Sequence, residues 1–185
     1  PTSKTPEYAS PEGPSSVRAP TAPPAAAASS EAETRAFQMA RERWAHARQS
    51  AQPAAMLAAA HGLREAAIRL NDPGVLTEVV NVFREVAERA PHTRAEARAA
   101  EGECYMAFAN GDVAQLQIAL QRLQESLYLG ADRNFVDTRL YRVTAALAKA
   151  RPEKGREYYS IYRSTFPNGD HMSEVEDALD AFRGE

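Results

Sequence analysis

Pro53, Pro91 and Pro167 lie on one spacing: the first two are 38 residues apart, and the second and third twice that. The missing mark falls at Leu129-Gly130, where glycine takes over the punctuation. Proline lacks a backbone N–H and holds φ near −65°, so it opens helices and ends them but does not run through them. A chain cut at a fixed interval in this range stacks helical hairpins, each burying its apolar face on the next. The expected fold is therefore all-α, a right-handed α-solenoid of antiparallel helical hairpins with a period of about 38 residues.

Helical spacing runs from Ser30 to the end of the chain. Ser30 reads as an N-cap, with Glu31 and Glu33 in the first turn where the helix dipole favours anions. Phe37, Ala40, Trp44 and Ala47 then recur on one face of a helix over 31–49. A second helix opens on Pro53 and carries Met56, Ala60, Leu63, Ala67 and Leu70. The third has the cleanest stripe: Leu76, Val79, Val80, Phe83, Val86, Ala87 and Ala90. Thr93 and Glu96 spell a capping box for a fourth helix over 94–109, and Gly111 suits a left-handed residue at its end. Further helices are expected over 113–128, over 134–149, from Pro152, and after an N-cap at Ser173. β-branched residues never alternate over a useful length, so no strand is expected. The turns are short, so sequence neighbours run antiparallel. The successive hairpins are 53–71 with 73–90, 91–110 with 112–129, and 131–150 with 152–166.

Residues 1–29 differ in kind from the helical region 30–185. Seven of the twelve prolines fall there, and Ser, Thr and Ala fill most of the rest. Such a segment has too little apolar surface to offset the entropy of ordering and is expected as a disordered or extended linker.

The bulk numbers exclude several classes of function. The net charge is −3, so no basic excess recruits nucleic acid through phosphate neutralisation. Cys104 is the single cysteine; among Tyr105, Met106 and Phe108 it reads as a buried thiol acting as a small hydrophobe. No run approaches the ~20 apolar residues of a transmembrane helix. His46, His61, His92 and His171 show no metal-ligand spacing, although His46 and His61 fall on neighbouring helices. His92 and His171 read as turn polarity. Glu101 with Glu103, and Glu174 with Glu176 and Asp177, are expected on solvated helix surfaces. No paired carboxylate, glycine-rich phosphate loop or nucleophile elbow is present. No catalytic residue, metal or cofactor is expected.

The aromatic residues gather in the C-terminal half. Tyr158 and Tyr162 share a helix face, while Tyr159 points about 100° away from Tyr158. Tyrosine and arginine are common interface anchors. Tyr128, Tyr141, Arg142, Tyr159 and Arg163 are therefore the candidate partner-binding residues, and the expected partner is a protein.

The stretch from Ala60 to Thr93 resembles a degenerate tetratricopeptide repeat. Leu63, Ala67, Leu70, Val79, Phe83 and Pro91 stand where that family places large, small, large, small, aromatic and proline residues. Gly102, Tyr105 and Gly111-Asp112 are similar to a second family phrase, stretched by two residues. Phe166-Pro167-Asn168 before a helix resembles junctions in the bacterial envelope proteins of this superfamily, among them outer-membrane assembly lipoproteins. The resemblance implies a non-enzymatic scaffold in the periplasm or at the outer-membrane periphery, an accessory to an envelope machine. Residues 1–29 would then be its tether, with a membrane anchor upstream of Pro1. The alternative is a cytoplasmic regulatory or secretion-chaperone module of the same fold. No functional residue of the family carries over.

Overall fold

The structure, a computed structural model, describes residues 25–182, with side chains from residue 30. The described residues form eight α-helices and no strand: α1 Ala25–Ser50, α2 Pro53–Leu70, α3 Leu76–Arg89, α4 Arg94–Phe108, α5 Val113–Tyr128, α6 Arg133–Ala150, α7 Gly155–Thr165 and α8 Met172–Ala181. Short 3-10 turns at Pro73–Val75, Pro91–Thr93 and Pro152–Lys154 lead into α3, α4 and α7. Each of these turns begins on proline, where a first-turn N–H would have no intrahelical partner. Pro53 opens α2 directly. At the mark without proline, Gly130 takes φ +91°, a conformation glycine reaches without a Cβ penalty.

The first helix starts earlier than its sequence signals. Residues 25–29, expected in the linker, are helical, and residues 1–24 of that linker lie outside the described residues. The run Ala25–Ala28 is the reason, since alanine has the highest intrinsic helix propensity. Ser30 is consequently interior to α1, and its carbonyl accepts from the Thr34 hydroxyl at 2.8 Å.

The two other expected hydroxyl caps are also absent. Thr93 sits at φ −98°, ψ 2° with no side-chain cap bond, whereas a capping residue needs extended backbone to turn its oxygen onto the next N–H groups. Its hydroxyl instead donates back to the Ala90 carbonyl at 2.8 Å. Ser173 lies inside α8, which His171 precedes as N-cap residue without a side-chain bond. Aspartates do the capping. Asp72, Asp112 and Asp132 have extended ψ of 110–120°. Their carboxylates accept from the backbone N of Gly74, Ala114 and Asn134 at 2.8, 2.8 and 2.9 Å.

Each helix packs chiefly against its sequence neighbours, with further contacts between α2 and α4 and between α4 and α6. The apolar side chains form two clusters. Phe37, Trp44, Met56, Leu63, Val79 and Phe83 belong to the first, between α1 and α4. Leu116, Leu123, Val136, Leu140, Leu147 and Tyr162 belong to the second, between α4 and α8. α4 is the wall between them. It gives Ala97, Ala100, Cys104 and Phe108 to the first cluster and Ala99 to the second, and Tyr105 touches both. Small residues make this double role possible. At Gly102 a Cβ would lie 3.1 Å from both the Ala119 carbonyl oxygen and Leu123, so α4 and α5 approach backbone to side chain.

Candidate partner-binding site

Charged residues are distributed unevenly over this fold. From α1 to α5, Arg41, Arg48, Arg64, Arg84, Arg98 and Arg122 reach across to carboxylates on other helices. Arg41 pairs with Glu78 and Arg48 with Glu85, each at 2.6 Å, joining α1 to α3. Arg64 on α2 and Arg139 on α6 both pair with Glu103 on α4. His61 on α2 lies 3.1 Å from Glu96 on α4 and sets its ring edge on Phe83. It therefore faces α4 and α3 rather than His46.

Glu101 and Glu103 are not on a solvated surface, contrary to the sequence expectation. Glu101 is fully buried. Arg84 on α3, Arg98 on α4 and Arg122 on α5 hold its carboxylate at 3.2, 2.6 and 3.0 Å. Glu103 retains 14% side-chain exposure between its two arginines. α4 is short of large side chains and is enclosed by α2, α3, α5 and α6, so its glutamates stay within the fold and require cationic partners. The arginines of Glu103 lie 39 and 36 residues from it in sequence, close to the proline spacing, whereas those of Glu101 lie 3, 17 and 21 residues away.

Beyond α5 the pattern changes. α6, α7 and α8 meet through rings and one buried polar network. His171 stacks on Tyr141, with centroids 4.2 Å apart and planes 8° from parallel. Tyr141 sets its edge against Tyr162 at 5.8 Å. The Tyr162 hydroxyl donates to Asp137 Oδ1 and accepts from the His171 backbone N at 3.2 Å. Asp137 Oδ2 accepts from the Asp170 backbone N at 3.1 Å. This network ties the turn after Pro167 to α6, and Gly169 lies so close to it that a Cβ would collide with the Tyr162 hydroxyl. Burial, and next the bond to Asp137, raise the Tyr162 hydroxyl above the usual tyrosine range. His171 therefore does more than supply turn polarity: it is the ring through which α8 grips α6.

The five residues singled out in the sequence separate into three settings. Tyr141 and Tyr159 are half-buried beside this network, and burial first, then Tyr141, raises the Tyr159 hydroxyl. Arg142 and Arg163 are exposed. Tyr128, at the end of α5, is 91% exposed and joins none of these rings. Tyr158 and Tyr162 are buried, as a shared helix face requires. Lys149, Arg151, Lys154 and Arg156, on α6, α7 and the turn between them, are also exposed. None of these six cations has a carboxylate within 4.0 Å among the described residues. A cleft of about 550 Å³ adjoins Lys149, walled by Met106, Asn110, Leu116 and Ala146.

Cys104 is wholly buried, and burial pushes its thiol up to about 12, far from the thiolate a nucleophile needs. Among the described residues no three His, Cys, Asp or Glu side chains gather where they could hold a metal ion. No helix of the described residues is long and apolar enough to cross a membrane. Comparison with protein-family models, curated proteins and solved structures gives no match to this chain.

Proposed function

We propose that this chain is a non-enzymatic scaffold, a right-handed solenoid of tetratricopeptide-like hairpins that holds a protein partner through α6 and α7. The ion pairs at 36 to 39 residues' separation support the repeat. Equivalent positions of successive hairpins come into register when each unit repeats the last. The observation that carries the binding reading is the set of six exposed, unpaired cations on α6, α7 and the turn between them, the elements that bear Tyr141 and Tyr159. Arg41, Arg48, Arg64, Arg84, Arg98 and Arg122 end on carboxylates, whereas these six leave their charge directed at solvent. The partner face they fit is acidic, with tyrosine supplying rigid apolar area.

A photo-crosslinking residue at Tyr141, Tyr159 or Arg142 tests this directly. The expected result is a discrete protein adduct from the native cell extract at these positions and none from an equivalent residue on α3. Adducts that are equally strong from α3, or absent from all positions, would reject the site. The resemblance around Phe166-Pro167-Asn168 supports a role at a bacterial envelope machine, with residues 1–29 as the tether. Cell fractionation checks this: recovery with the cytoplasm would favour the regulatory or secretion-chaperone alternative.

A further inference from the structure

The two ends of the helix array are finished differently. At the C-terminal end α8 buries Val175 and Leu179 inward and turns Glu174, Glu176, Asp177 and Asp180 to solvent. That outer face is polar and needs no cover. At the N-terminal end α1 buries Phe37, Ala40, Trp44 and Ala47 inward, but no described residue closes its other side. Together with α2 it walls an open notch of about 300 Å³, lined by Ala36, Met39 and Arg43 of α1 and Ala59, Gly62 and Arg69 of α2. Met39 stands at the rim with 54% of its surface exposed. A Cβ added at Gly62 would meet nothing within 4 Å.

We propose that this notch is the contact of a two-fold dimer: α1 of a second copy of this chain lies across α1 and α2, with Met39 of each copy seated in the notch of the other. A two-fold contact must be self-complementary, because the same patch faces itself. This patch holds both halves of such a contact, a protruding unbranched apolar side chain beside a hollow with small walls. It also holds both signs of charge. Glu42 and Glu65 stand with Arg43 and Arg69, all four exposed and none in an ion pair among the described residues. Glu42 lies one turn from Met39, so the dimer carries it towards Arg43 and Arg69 of the other copy. The small walls let the second helix approach closely. α1 has 26 residues and is ~39 Å long, so a strip ~10 Å wide covers roughly 400 Å² a side, about half a standard interface. The dimer is accordingly a weak one, and protein concentrations from ~1 to ~200 μM bracket its dissociation.

Sedimentation equilibrium of the full chain over that range tests the proposal. The wild type should pass from monomer to dimer. Met39→Glu should remain monomeric throughout, since it would bury an unpaired carboxylate. Gly62→Leu fills the notch from within, and should weaken the dimer at least tenfold while leaving helicity and melting unchanged or improved. Arg142→Glu, on the opposite part of the array, should leave the mass profile as in the wild type. A wild type that stays monomeric at every concentration overturns the proposal. So does a dimer indifferent to both Met39→Glu and Gly62→Leu, and so does growth beyond a dimer, which would mean a head-to-tail contact.

Discussion

Arginine does opposite things in the two halves of this molecule. Between α1 and α5 it is cohesive: Arg41, Arg48, Arg64, Arg84, Arg98 and Arg122 all end on carboxylates, most of them on another helix. Arg139 of α6 still reaches back to Glu103, but between α6, α7 and α8 cohesion passes to rings and to the Asp137–Tyr162–His171 network, and Arg142, Arg156 and Arg163 are left without an ion pair among the described residues. The difference shows that residue type alone does not separate a structural arginine from a binding one. What separates them is whether the fold brings a carboxylate within reach. Arg142 and Arg163 have none within 4.0 Å among the described residues, so their charge makes no ion pair in the fold and faces solvent.

The contrast breaks most visibly at Glu101. Glu101→Ala should cost ~3–5 kcal/mol, because three arginines lose the buried charge they converge on. A urea melt that moved by less than ~1 kcal/mol would remove the N-terminal half of the comparison. Tyr162→Phe comes next, at ~1–3 kcal/mol, by leaving the buried Asp137 carboxylate short of a donor. Phe is otherwise isosteric, so a loss below that range would mean that ring packing alone joins α8 to α6.

Alkali probes both cores together. Between pH 9, the ordinary thiol value, and about 12, the unfolded chain has lost a Cys104 proton that the folded chain retains. Stability therefore falls as pH rises through this window, by up to ~1.4 kcal/mol per pH unit for that proton. Tyr162, also raised, adds a loss of the same sign once unfolded tyrosine ionises. Cys104→Ala should flatten the pH dependence of the urea midpoint from its lower end, and Tyr162→Phe from its upper end. The smallest effects belong to the surface. Arg41→Ala and Arg48→Ala should each cost ~0.2–1 kcal/mol, less in high salt. Arg142→Ala and Arg163→Ala should stay within ~0.5 kcal/mol while weakening partner capture. A large stability loss at Arg142 would place it with the cohesive arginines.

Helix number and order were legible because apolar spacing and proline placement are local properties. The stripe Val79, Val80, Phe83, Val86 and Ala87 needs no knowledge of the rest of the chain. Caps were less legible. Ser30, Thr93 and Ser173 have capping side chains, but capping depends on the backbone angles of that one residue, and the aspartates at 72, 112 and 132 hold the extended geometry instead. The burial of Glu101 and Glu103 was the least legible. Read along one helix, glutamates beside alanines belong to a solvated face. They are enclosed here because four other helices surround α4, which no single helix reveals. Of the candidate site, Tyr141 and Tyr159 meet at one network that also needs His171 and Asp137. Tyr128 stands apart because α5 ends at it.

The charge ladder also has a direction. Going from α1 to α3 and from α2 to α4, the basic partner comes first and the acidic partner follows. From α4 to α6 the order is inverted, since Glu103 meets Arg139 ahead of it as well as Arg64 behind. The hairpins are therefore not interchangeable modules. A second copy of α4–α5 spliced in after the first would bring Glu103 against its own duplicate, and like charges would meet where the chain now has its joint. Lengthening this array requires a hairpin that begins basic, so the sign at position 103 limits how such a chain can grow by duplication.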